Sequence, residues 1–172
     1  MLYSVMYDEN IPNRYICDLY FGEKRRSCIV DTACSTTLVP LKFAQRHGKR
    51  LGHTATVVVA GNIYKSTLYL FEDIFFGSLK ITKMVAFAAN YKGNIEDRIL
   101  LGLNVINNFE ILLSRHRKSI DFNFKPWSPV ENKKHPCAMF FKDTGSHPVY
   151  PTELLAEIKV LEPSSVFSVK SL

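Results

Sequence analysis

The stretch Cys28-Ile29-Val30-Asp31-Thr32-Ala33-Cys34-Ser35-Thr36-Thr37-Leu38-Val39-Pro40 decides how the rest of this chain is read. An apolar strand ending at Val30 runs straight into a carboxylate. Small residues and hydroxyls follow at once, and Thr36 to Val39 is a second extended piece. Burying a lone carboxylate is costly unless it is paired or hydrogen-bonded. Amides and hydroxyls in a tight loop supply such bonds, and so does a second carboxylate that shares one proton. Pro40 suits the first turn of a short helix over 41–47, with Gly48 as its stop.

Outward from this stretch the chain reads mostly as short strands. Tyr15 to Phe21 and Ser27 to Val30 form a hairpin about Gly22-Glu23-Lys24. Thr54 to Ala60 and Ile63 to Phe71 form a longer one about Ala60-Gly61-Asn62. Leu79 to Ala88 is a further strand, and 90–97 is a polar loop. Ile99-Leu100-Leu101-Gly102 reads as a buried strand that ends in glycine. Apolar residues at 103, 106, 109 and 112 predict a helix over Leu103 to Leu112. Ser119 to Phe124 reads as the last strand. After Lys125 the composition changes, because six of the eight prolines fall there. Proline lacks the amide that strand ladders need. The expectation is a domain over 1–125 and an extension over 126–172, irregular to 152, helical over 152–161 from Thr152, and frayed beyond.

The Asp31 stretch resembles the D-[ST]-G-[AS] motif of aspartic proteases, in the D-T-G-A-S-T-T-L-V-P style of retropepsin-like enzymes. Ile99-Leu100-Leu101-Gly102-Leu103-Asn104 resembles the family's apolar-apolar-Gly segment, and Val57 to Leu70 lies where its flap hairpin belongs. The resemblance covers Tyr15 to Phe124 in the right order. It implies an all-β, retropepsin-like acid protease barrel with one short helix after the apolar-apolar-Gly segment, plus a C-terminal extension. It also implies an aspartic endopeptidase that cuts a polypeptide as a homodimer, with Asp31 from each subunit and an activated water. Thr32, Ala33, Ser35, Gly102 and Asn104 would support the site. Val59, Ala60, Gly61 and Asn62 would form the substrate-binding flap. No metal and no organic cofactor are implied. Three positions depart from the pattern: Ala33 replaces the motif glycine, Cys34 replaces alanine or serine, and Leu103 replaces a charged residue of viral relatives. Ala33 adds a Cβ at a crowded turn, strained if the turn needs a positive φ. The rival reading is therefore a catalytically inactive dimer of the same fold that binds extended peptides or partner proteins.

Composition sets the outer limits. A chain of 172 residues, 47% apolar, suits one domain and excludes both a disordered protein and a large multidomain enzyme. The net charge of +6 is spread along the chain. Its short basic clusters, Lys24-Arg25-Arg26, Arg46 to Arg50, Arg115 to Lys118 and Lys133-Lys134, read as solvated surface, with no requirement for nucleic acid. The four cysteines form no CxxC pair and lack metal-ligand spacing with the five scattered histidines. No apolar run is long enough to span a membrane and no secretory-type segment opens the chain, so the expected setting is the reducing cytoplasm. Two rival sites are read as ordinary structure. Asp143-Thr144-Gly145-Ser146 matches the motif literally, but Lys142 precedes it and no apolar-apolar-Gly partner follows, so it reads as a polar turn. Cys34 with His47 or His53 as base reads as a small buried thiol. Trp127, flanked by prolines, reads as packing the tail onto the domain.

Overall fold

The computed structural model describes residues 2–6, 14–93, 97–114, 119–124 and 156–160. In chain order its strands are β1 (Leu2–Met6), β2 (Ile16–Phe21), β3 (Lys24–Val30), β4 (Leu38–Pro40), β5 (Lys49–Val59), β6 (Asn62–Phe76), β7 (Leu79–Ala89), β8 (Ile99–Leu101), β9 (Phe109–Ser114), β10 (Ser119–Phe124) and β11 (Glu157–Val160). Two short helices, α1 (Leu41–His47) and α2 (Leu103–Ile106), interrupt them.

β7, β4, β8, β3, β2 and β6 are neighbours in one sheet, and a β6–β7 ladder closes these six into a barrel. β5 hangs on β6, and β11 hangs on β7. A second sheet has the order β1-β10-β9. Closure leaves the six strands no unpaired ends along most of their length, which is how small β proteins avoid open edges. The two sheets are joined by aromatic packing. Phe76 of the barrel meets Phe109 and Phe122 of the small sheet edge-on, at centroid distances of 5.7 and 5.4 Å. Such pairs add roughly 0.5–1.5 kcal/mol beyond the area they bury.

Most pairings are antiparallel, but two are parallel and they set up the site. β3 runs parallel to β8, with Val30 opposite Leu101. β4 runs parallel to β7, with Leu38 opposite Phe87. Asp31 and Gly102 therefore leave the barrel side by side from the same end of adjacent strands. Leu38 lies opposite Leu100 in an antiparallel contact, so the loop 31–37 returns into the barrel on the far side of β8.

Two expectations are corrected here. The helix predicted over Leu103 to Leu112 is a single turn ending at Ile106, and β9 starts at Phe109. The spacing 103, 106, 109 fits a helix, but β10 offers a ladder along the whole of 109–114, and the period changes to two. Phe109 is buried and Ile111 partly so, while Glu110 and Leu112 are exposed. The helix predicted over 152–161 is, at Glu157–Val160, a strand antiparallel to β7. Its alternation of Glu157 and Lys159 with Ile158 and Val160 suits a strand, and the stretch of β7 beside it supplies the ladder. The expected irregular segment 126–152, Trp127, the Asp143 turn and the frayed end lie outside the described residues.

Candidate active site

The Asp31 loop begins as a closed turn. The amide of Asp31 donates to Leu101 O at 3.0 Å, and the amide of Cys34 donates to Asp31 O at 3.2 Å. Within this turn the Ala33 amide donates to Asp31 Oδ1 at 3.0 Å. An aspartate that accepts a bond from the amide two residues on fixes its own carboxylate. Asp31 is partly exposed, and Thr32 and Ala33 beside it are exposed. Among the described non-glycine residues, positive φ occurs at Ala60, Asp73 and Asp97, and Ala33 is not one of them. The Cβ that replaces the motif glycine therefore carries no left-handed strain.

Behind the turn, two loops press together. A Cβ on Gly102 would stand 2.6 Å from Thr37 N, 2.7 Å from Thr36 C and 2.8 Å from Cys34 O, all backbone atoms. Only glycine allows that approach. The Gly102 amide donates to Thr37 Oγ1 at 3.1 Å, and Thr37 Oγ1 in turn donates to Asn104 Oδ1 at 2.8 Å. Asn104 Oδ1 also takes the Thr37 amide at 2.7 Å, while Asn104 Nδ2 donates to Val85 O on β7 at 2.8 Å. The amides of Leu103 and Asn104 donate to Cys34 O and Ser35 O at 2.8 and 3.1 Å. Thr37 and Asn104 are both buried. Sequence reading singled out Ser35, Gly102 and Asn104, and the structure brings all three to this junction. It did not single out Thr37, because a buried hydroxyl with two partners looks, in sequence, like any strand threonine.

A separate apolar cluster flanks Asp31. Ile29, Leu38, Ala89, Tyr91 and Leu100 are buried together with Val59, and Cys34, Val57 and Tyr64 pack against them. Val59 thus lays the tip of the β5–β6 hairpin against the wall beside Asp31. The tip is a two-residue loop, with Val59 opposite Asn62 and positive φ at both Ala60 (48°) and Gly61 (80°). Two positive φ values are what a tight hairpin turn of this twist requires. The Asn62 side chain donates to Ala60 O at 3.4 Å. Val58 and Ile63, opposite each other on the outer face, are 68% and 74% exposed.

The thiol reading of Cys34 fits this surrounding. Its Sγ donates to Thr36 O at 2.8 Å. Burial, and then the negative charge of Asp31, push the thiol up to about 12. It stays protonated at neutral pH and is not the thiolate that a nucleophile needs. His47 packs on Phe43 at 4.7 Å and is held below the usual histidine range by burial, then by Lys24, Arg26 and Arg46. His53 is exposed on β5. Among the described residues, no three His, Cys, Asp or Glu are grouped as a metal site. No helix among them is long and apolar enough to cross a membrane.

The fold that carries these elements is similar to that of a solved structure. A retropepsin-like aspartic protease from Rickettsia conorii superposes on this chain with a TM-score of 0.54 at 13% identity. The fold is retropepsin-like. The match covers 98% of that chain and 70% of this one, so this chain carries material beyond the shared retropepsin-like barrel. No protein-family model matches the sequence, and no curated protein matches it.

Proposed function

We propose that this chain is an aspartic endopeptidase that works as a symmetric homodimer, each copy supplying Asp31. The observation that carries the reading is the Asp31 turn itself. Ala33 donates its amide to the carboxylate as the motif glycine would, outside the left-handed region, so the main departure from the motif leaves the turn intact. The retropepsin-like barrel of the Rickettsia protease supports the same reading at the level of fold.

Two Asp31 carboxyl groups brought face to face cannot both ionise, so they share one proton. The ionised member takes a proton from water, and the water oxygen attacks the peptide carbonyl carbon. The protonated member gives its proton to the carbonyl oxygen. When the tetrahedral intermediate collapses, the C–N bond breaks and the amine leaves with a proton from the dyad. Thr32, exposed at the loop tip, would bond across the pair. Ser35, Gly102 and Asn104 hold the loop from behind. The hairpin tip at Val59, Ala60, Gly61 and Asn62 would close over an extended polypeptide and exclude water. The cycle needs only these side chains and water, with no metal, organic cofactor or nucleic acid. The free thiols of Cys17, Cys28 and Cys34 suit a reducing, cytoplasmic setting.

The test is Asp31→Asn, assayed on a denatured protein at mildly acid pH. Cleavage is lost, while the far-ultraviolet spectrum and the oligomeric state are unchanged. Cleavage at the wild-type rate removes Asp31 from the mechanism. A wild-type dimer that binds an extended peptide without cutting it is instead the inactive binding module.

A further inference from the structure

The outer edge of β7 has three occupants in a row. β11 pairs with Leu79 to Lys83, the Asn104 side chain takes Val85 O, and β4 pairs with Phe87 to Ala89. Asn104 is the joint between them. Its side-chain oxygen takes the amide and the hydroxyl of Thr37, and its amide goes to Ser35 O. The amide of Asn108, one turn on, donates to Val105 O at 3.1 Å. The Asn104 carbonyl accepts the amide of Ala156 at 2.9 Å. Ala156 is buried in the main core, and its own carbonyl accepts from Asn108 Nδ2 at 3.4 Å. The links close a ring: Asn104 to Val85, along β7 to β11, and back through Ala156 to Asn104. A one-turn helix cannot hold its own geometry. α2 is held by the Asp31 loop on one side and by this C-terminal strand on the other.

We propose that the backbone amide of Ala156, just ahead of β11, positions the Asp31 loop, so that activity depends on a contact remote in sequence. The inference rests on the catalytic reading of Asp31. It assigns the Ala156 contact to the site's rear support, not to substrate binding.

The experiment uses the full-length chain. Ala156→Pro removes the amide hydrogen, Ala156→Gly keeps it, and Val160→Pro weakens β11 at its far end, opposite Leu79. Peptide cleavage gives kcat and KM, and hydrogen exchange is read at the amides of Thr37, Gly102 and Asn104. In Ala156→Pro, kcat falls about tenfold or more with KM within about twofold, and the three amides exchange about tenfold faster. Ala156→Gly and Val160→Pro stay within about threefold of wild type in both readouts. If Ala156→Pro does not fold, semi-synthesis with a synthetic 137–172 segment, joined at Cys137 and carrying an ester in place of the amide at position 156, removes the same hydrogen without the ring. Unchanged kcat and unchanged exchange in the proline or ester variant overturn the proposal, and so does an equal loss in Val160→Pro. If Asp31→Asn cuts like wild type, or wild type does not cut, the catalytic reading fails. The exchange data then still decide whether the Ala156 bond holds the loop.

Discussion

The Asp31 loop and the tip of the β5–β6 hairpin meet on the same apolar wall, and they are held by opposite means. Behind Asp31, Thr37 and Asn104 are buried and their polar atoms bond to each other, to β7 and to Gly102 at the start of α2. The hairpin tip has its own ladder, one buried valine, and a turn in which Ala60 sits at a φ that alanine disfavours. Its outer face shows Val58 and Ile63 to solvent. A buried network of paired polar groups favours one arrangement, because displacing it leaves those groups unpaired. A hairpin held by a ladder and one apolar contact opens at small cost. On the proposed reading, the loop side of the site stays and the hairpin side moves.

Substitutions at three positions break or sharpen that contrast. Gly102→Ala attacks the fixed side where nothing can yield, since its Cβ meets backbone atoms at 2.6 to 2.8 Å. A loss of about 3 kcal/mol or more is expected by chemical denaturation, with cleavage abolished. A variant as stable as wild type would mean that the two loops are not locked. Thr37→Val keeps shape but strands the Gly102 amide, at a cost of about 1–3 kcal/mol. Thr37→Ser, which keeps both hydroxyl bonds, should recover most of that; a serine variant as weak as the valine one would point to lost packing. Ala60→Asn acts on the moving side, because asparagine tolerates the left-handed turn. It should stabilise the hairpin by about 0.5 kcal/mol, read as a roughly twofold slowing of exchange at β5 and β6 amides that in wild type exchange faster than those of β3 and β8. Wild-type β5 and β6 amides that exchange no faster than those of β3 and β8 would show that the tip does not open independently.

The loop that carries Asp31 was legible because its chemistry is local: an apolar strand, a carboxylate, then small residues. Gly102 and Asn104 were legible through the resemblance of the segment 99–104 to the family's apolar-apolar-Gly segment. What surrounds them was less so. Thr37 gives no sequence signal, since its two partners lie 65 and 67 positions away. The end of α2 at Ile106 depends on β10, whose ladder over 109–114 overrides a helical spacing that continues to 112. β11 depends on an edge of β7 that only the folded barrel leaves open. Local signals place the chemistry, and long-range pairing places its support.

Val59 is 6% exposed, seated among Ile29, Leu38 and Leu100. An incoming polypeptide, on the proposed reading, therefore competes with a side chain of the protein itself. Its apparent affinity is the intrinsic affinity scaled by the fraction of molecules whose hairpin is lifted, so every ~1.4 kcal/mol favouring the seated valine weakens binding tenfold. Selectivity then falls partly to substrate length: a long extended chain can recover the opening cost through strand-like bonds along the hairpin, and a short one cannot.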